Sequence, residues 1–149
     1  MIEVTCAGDV AEIVLNAPEK RNALDEDALR ELDAAYAAAE QARVRAVLLR
    51  GQGPAFCAGR DIAGVDPAGD DVPGYLEGLL TPLLRRMASF PAPTFAAAHG
   101  ACLGVGLGLL IATDVVYVAD TAKIGSPFAA LGAILDSGGH ALFTDRLGP

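Results

Sequence analysis

The residues best placed for chemistry lie in one stretch, Phe95 to Asp120, which reads F-A-A-A-H-G-A-C-L-G-V-G-L-G-L-L-I-A-T-D-V-V-Y-V-A-D. A small-residue apolar run leads into three alternating glycines, Gly104, Gly106 and Gly108, and then into an apolar helix. Glycine lets another group approach the main chain closely. Unpaired amides at a helix start point at whatever anion sits there. The chemistry this form suits is stabilisation of negative charge by backbone donors. Further along, Asp136 stands in L-G-A-I-L-D-S-G-G-H. Its carboxyl group has two open readings, a cap on the final helix or an acid–base group. His140 follows one helical turn later, and His99 precedes the glycines; each reads first as a core or surface histidine. Ser126 and Ser137 complete an inventory of Ser, His and Asp, but no spacing links them into a triad.

Other readings of the glycine stretch are weaker or stay open. A dinucleotide fingerprint needs G-x-G-x-x-G, and Leu109 stands where the third glycine belongs. The run Ala96 to Ala112 contains His99, is closed by Asp114, and falls short of the ~18–20 apolar residues of a membrane span. Glycines serving only close helix packing remain compatible with the segment by itself.

The elements that must position these residues follow from the pattern. Ile2 to Cys6 and Val10 to Leu15, with Ala7-Gly8-Asp9 between them, read as a hairpin. Asn16 to Asn22 is a loop. Asp25 caps a helix from Glu26 to about Arg43, whose apolar stripe is Leu29, Leu32, Ala35, Tyr36 and Ala39. Ala46 to Leu49 is a short buried strand, Gly51 to Gly53 turns it, and Ala55 to Cys57 is extended again. Ala63 to Pro73, rich in Gly, Pro and Asp, is a surface loop or lid. A helix from about Gly74 to Phe90 carries Pro82, which implies a kink or a late start. Strands are expected at Thr94 to Ala98, Val115 to Ala119 and Ala122 to Gly125, with helices to about Thr113 and from Asp136 to Leu147. Pairs of strands followed by a helix thus recur about three times in an α/β chain.

Composition narrows the partners. The 149 residues suit one domain, and 52% hydrophobic content supplies a core. The net charge of -8 and only two adjacent basic pairs, Lys20-Arg21 and Arg85-Arg86, argue against nucleic acid. Cys6, Cys57 and Cys102 have no metal-ligand spacing and leave one odd thiol, which suits a reducing compartment. Met1-Ile2-Glu3-Val4 shows no basic region followed by an apolar one, so a cytoplasmic protein without a signal peptide is expected.

Four blocks then carry a resemblance. They are V-A-E-I-V-L-N-A-P-E-K-R-N-A-L (Val10 to Leu24), A-F-C-A-G-R-D-I (Ala55 to Ile62), A-H-G-A-C-L-G-V-G-L-G-L-L-I-A-T-D (Ala98 to Asp114) and A-K-I-G-S-P-F-A-A-L-G (Ala122 to Gly132). In this order and spacing the chain resembles the crotonase family, the enoyl-CoA hydratases and isomerases. The resemblance implies a ClpP/crotonase-type spiral of ββα units and an acyl-CoA thioester as substrate. It implies no metal and no cofactor besides the coenzyme A of the substrate. Members of the family continue well beyond the point matched by Pro149. Their C-terminal helices close the acyl pocket and build trimers, often paired into hexamers. That helical part is missing here, so an incomplete core is expected, with homo-oligomers forming where the remainder is present.

The same resemblance implies site residues. An oxyanion hole of two backbone amides falls at Ala58 and Val105, where two fixed donors stabilise the enolate formed beside a thioester. Contacts to the CoA and substrate fall at Lys20, Arg21, Ala23 and Leu24, at Ala58, Gly59, Arg60, Asp61 and Ile62, and at Gly104 and Phe128. Lys20 or Arg60 would meet phosphate or stay solvated. The two glutamates that activate water in hydratases fall at Gly108 and Phe128, neither of which moves protons. Asp136 matches the segment of enoyl-CoA isomerases, including the ring-opening isomerases of phenylacetate breakdown, where one acid shifts the proton. The expected activity is therefore enoyl-CoA isomerisation with Asp136 as acid–base. The alternatives are an acyl-CoA hydrolase or dehalogenase with an Asp nucleophile, which the absence of Trp disfavours, and a non-catalytic CoA-binding or assembly fragment.

Overall fold

The computed structural model describes residues 1–132 and 134–148; Ala133 and Pro149 lie outside the described residues. The chain opens with β1 (Ile2–Ala7) and β2 (Val10–Leu15), paired antiparallel with Ala7 opposite Val10. The turn is therefore the two residues Gly8-Asp9, one shorter than the three-residue link in the sequence reading. α1 (Glu26–Gln41) follows, and the Asp25 carboxylate accepts from the Ala28 amide at 2.8 Å. Ala28, Leu29, Leu32, Ala35, Tyr36 and Ala39 are its buried face, the i, i+3, i+4 spacing of an amphipathic helix. It stops two residues before the expected Arg43, which sits in left-handed backbone at φ 53°.

β3 (Ala46–Gly51) runs through Gly51, two residues beyond the expected strand. Gly74–Leu80 then winds as a π-helix into α2 (Thr81–Ala88). Here the Thr81 amide reaches back five residues to the Leu76 carbonyl. The wide turns come just before Pro82, which has no N–H to give, so the anticipated kink is a change of helix type. Next come β4 (Thr94–Ala98), β5 (Ala101–Leu103), α3 (Val105–Ile111), β6 (Val115–Val118), β7 (Lys123–Gly125), a 3-10 turn over Pro127–Leu131, and α4 (Gly139–Leu147).

The main sheet has the order β1-β2-β3-β4-β6, parallel except for the hairpin. β5 and β7 pair parallel in a smaller second sheet, which Cys57 extends by a single bridge to Cys102. The chain is thus a spiral of four ββα units, not three. In the second unit, after β3, the second strand shrinks to Cys57: its amide donates to Ala101 O and its carbonyl accepts from Leu103 N, both at 3.0 Å. Ile13, Leu15, Leu32, Val47, Leu49, Leu83, Met87 and Ala96 belong to one core cluster that fills the space between the main sheet, α1 and α2. Each large aliphatic side chain there contributes about 1.5–3 kcal/mol. Among the described residues no helix is long and apolar enough to cross a membrane.

Candidate active site

Two backbone segments meet where the small and large sheets adjoin. The first is the turn before α3. Gly104 has φ 53°, and its amide donates to Gly125 O at 3.1 Å. The next amide, that of Val105, has no acceptor among the described residues. The second is Cys57 to Asp61. Gly59 has φ 108°, and a Cβ there would lie 2.9 Å from the Leu103 carbonyl oxygen and 3.8 Å from the Val105 nitrogen. Only glycine lets the two segments touch in this way.

The donors on the second segment differ from the expected one. The Ala58 amide donates to the Arg21 carbonyl at 3.0 Å, so it is already engaged and does not face a ligand. Leu24 N donates to Gly59 O, and Asp61 N donates to Leu24 O, both at 2.9 Å. These bonds bracket Arg60 on one edge and turn its own N–H to the other edge, as in any extended segment. That N–H has no acceptor among the described residues. Of the amides on these two segments, those of Arg60 and Val105 are without an acceptor among the described residues, whereas the Ala58 amide expected in that role is bonded within the fold.

A cavity of about 450 Å³ opens onto both segments. Ala58, Gly59, Arg60, Ile62, Val72, Tyr75, Leu76, Gly104, Val105, Pro127, Phe128 and Asp136 line it. Asp136 is the sole acid among them. Apolar side chains make up most of the rest, and the Phe128 ring reaches to 3.5 Å from where a Gly104 Cβ would be. Asp136 does not cap α4: that helix starts at Gly139, behind Gly138 in left-handed backbone, with no side-chain cap. The half-buried Asp136 carboxylate instead accepts from the Ser137 hydroxyl at 2.7 Å. His140 is exposed and makes no side-chain hydrogen bond among the described residues. His99 Nε2 pairs with the Gly53 carbonyl at 2.9 Å, not with the glycine turn.

The expected CoA-contacting residues separate into two groups. Ala58, Gly59, Arg60, Ile62, Gly104 and Phe128 lie on the cavity wall; Lys20, Arg21, Ala23, Leu24 and Asp61 do not. Leu24 is fully buried and Ala23 nearly so, which leaves their side chains in the core. Lys20 Nζ donates to Asp25 and Asp61, both at 3.0 Å. Burial opposes its charge, but the two carboxylates hold the ammonium above its usual range. Arg60 grips Asp70 with two bonds of 2.8 and 2.6 Å, and its guanidinium lies 4.2 Å from the centre of the Tyr75 ring. Neither cation is free for a phosphate in this arrangement. Arg21 is exposed, with no side-chain ion pair among the described residues.

Three residues matter more than the sequence indicated. Asn22, buried and at φ 56°, accepts from Ala17 N and donates to Gln52 O and Ala55 O, which pins the 16–24 loop against the turn after β3. Buried Tyr75 donates to Leu24 O at 2.9 Å and holds the π-helix on the site; burial raises its hydroxyl pKa. Ser137, only 7% exposed and at φ 56°, stands directly against α3. A non-glycine residue in left-handed backbone leaves no mark in sequence periodicity. Beneath the site, burial pushes the Cys57 thiol up to about 12 and the Cys102 thiol to about 11, so both pack as inert small apolar groups.

Known proteins are similar to this chain in sequence and fold. The family model for enoyl-CoA hydratase/isomerase matches residues 5–149. YhaR of Bacillus subtilis, grouped with the enoyl-CoA hydratases/isomerases, is 36% identical over 148 residues, 99% of this chain and 58% of that protein. The 1,2-epoxyphenylacetyl-CoA isomerase of Escherichia coli is 36% identical over 135 residues, 87% of this chain and 52% of that protein. The crystal structure of an enoyl-CoA hydratase from Bacillus anthracis superimposes with a TM-score of 0.89 at 29% identity, covering 99% of this chain and 58% of that one. The chain thus spans somewhat over half the length of the relatives it matches. With the four ordered blocks, the ββα spiral and the family model in agreement, the chain belongs to the enoyl-CoA hydratase/isomerase family.

Proposed function

We propose that this site shifts a carbon–carbon double bond in an acyl-CoA thioester, with Asp136 as the single acid–base group. The observation that carries the reading is the lining of the 450 Å³ cavity: one carboxylate, Asp136, together with two backbone segments whose Arg60 and Val105 amides have no acceptor among the described residues, and otherwise mostly apolar side chains. The thioester carbonyl accepts from the Arg60 and Val105 amides. Asp136 takes a proton from the carbon next to the carbonyl. The negative charge moves onto the carbonyl oxygen and spreads along the dienolate. Two fixed donors stabilise that charge, each worth about 3–4 kcal/mol in such sites. Asp136 then returns the proton two carbons further along, and the double bond lies in conjugation with the thioester.

Position 108 is glycine and position 128 is phenylalanine, so neither offers a carboxylate to activate water. Phe128 covers the Gly104 turn and keeps the dienolate in an apolar setting, which favours reprotonation over hydration. Incubating a 3-enoyl-CoA in heavy-oxygen water separates the chemistries. A 2-enoyl-CoA without heavy oxygen supports isomerisation. Heavy oxygen in a 3-hydroxyacyl product, or in a freed acid, would move the site to hydration or hydrolysis.

A further inference from the structure

The neighbourhood of Asp136 contains a second polar group that the proposed chemistry has not used. Ser137 is buried, yet its hydroxyl has a single hydrogen-bond partner among the described residues, Asp136 Oδ1 at 2.7 Å. That length is typical of a hydroxyl donating to a carboxylate. Its backbone sits at φ 56°, a region glycine enters without strain and serine seldom does. The next two residues are both glycines. The chain therefore places a hydroxyl at a position of this turn where glycine would fit without strain, and strain of this kind points towards function. The space for it comes from α3. A Cβ at Gly108 would lie 2.5 Å from Ser137 Cβ and 2.9 Å from Ser137 Oγ. The bare helix face at Gly108 thus admits Ser137, and Ser137 turns its hydroxyl onto the carboxylate.

We propose that Ser137, seated in the gap left by Gly108, is a positioning residue that holds the Asp136 carboxylate in one orientation towards the cavity. The proposal rests on Asp136 being the acid–base group of the reading above. It assigns Ser137 no contact with substrate. A carboxylate with one oxygen engaged presents the other to the reacting carbon, and fixed orientation of this kind lowers the barrier without changing ground-state binding.

Two variants of the full chain test it. Ser137→Gly removes the hydroxyl at a backbone angle that suits glycine, so its melting temperature should not fall. Ser137→Cys keeps the volume but leaves only a weak donor. Three-bond proton couplings of Asp136 report its rotamer whether or not turnover is measured. One rotamer is expected in the parent and averaging in both variants. With a 3-enoyl-CoA, kcat should fall about tenfold in both while KM changes less than twofold, the loss expected for one charge-assisted bond. A single Asp136 rotamer in both variants would overturn the proposal, as would parental kcat in Ser137→Cys. An inactive parent would overturn the reading of the activity, and the couplings would still decide the role of Ser137.

Discussion

Gly108 leaves the room that Ser137 occupies: a Cβ on the glycine would come within 2.5 Å of the serine Cβ, closer than such atoms approach. A helix surface and a turn from the last ββα unit are matched here by the absence of one carbon. The consequence is thermodynamic coupling between two residues 29 positions apart in the chain.

Gly108→Ala should therefore destabilise the protein by about 1–3 kcal/mol, because overpacking outweighs the better helix propensity of alanine. Gly108→Ala with Ser137→Gly should recover about 0.5–3 kcal/mol of that loss as an interaction energy. Urea unfolding of the two single variants and the double variant checks it. Additive losses would show that the two positions do not touch. By the same argument Gly108→Glu alone should not confer hydration of a 2-enoyl-CoA, since the turn at Ser137 blocks the new side chain.

The amides have separable roles. Replacing the Arg60 or Val105 amide with an ester removes a donor that has no acceptor among the described residues and belongs to the cavity lining. Each should lower kcat by about 100- to 1000-fold. The same replacement at Ala58 breaks its bond to Arg21 O and should cost about 1 kcal/mol of stability, with turnover retained. Turnover by the three esters, set beside their urea midpoints, distinguishes a donor to substrate from a donor to the fold.

Asp25 gives the acid side of the stability profile. The Ala28 amide, then Lys20, hold its carboxyl below the ordinary 3.8. Asp61 is lowered in the same sense, first by the Ala63 amide and then by Lys20. A carboxyl lowered in the folded state contributes fully above its unfolded value. That contribution is lost as pH falls through the folded value. Asp25→Ala should cost about 0.5–2 kcal/mol at pH 7 as a lost cap. Its stability should also fall less steeply than the parent's below about pH 4. Urea midpoints at pH 7, 4 and 3 measure both effects.

Arg60 joins the Ala63 to Pro73 loop to the cavity wall through Asp70. Asp70→Asn removes the charge that holds the guanidinium over Tyr75. The loop should then be cut several-fold faster by a non-specific protease, with the far-ultraviolet circular dichroism unchanged. Equal cleavage rates would mean that the loop is held by other contacts.

Much of this fold could be read from local pattern. The β1–β2 hairpin, the Asp25 cap, the apolar stripe of α1 and the strand Thr94–Ala98 each announce themselves within a few residues. β5 does not, because Ala101–Leu103 is three residues long and lies among glycines; its strand character comes from β7 and Cys57, both distant in sequence. The start of α4 was legible only to within a turn, since Asp136, Ser137 and Gly138 compete for the cap and left-handed backbone at Ser137 settles the contest. Family register brought Asp136, Gly104, Val105 and Phe128 to one cavity. It misassigned the amide at Ala58 because neighbouring residues of an extended segment differ only in which edge their N–H faces. Lys20 and Arg60 looked available as lone cations, and their partners Asp25, Asp61 and Asp70 become visible only once the loops are folded.

On the proposed reading, Asp136 moves a proton beside a thioester held by backbone amides. The most direct measurement is deuterium incorporation at the α-carbon of a 3-enoyl-CoA in deuterated water, for the full chain and for Asp136→Asn. Incorporation by the parent and its loss by about 1000-fold or more in Asp136→Asn is the predicted result. Incorporation that survives the substitution would contradict the assignment and place the base elsewhere in the cavity.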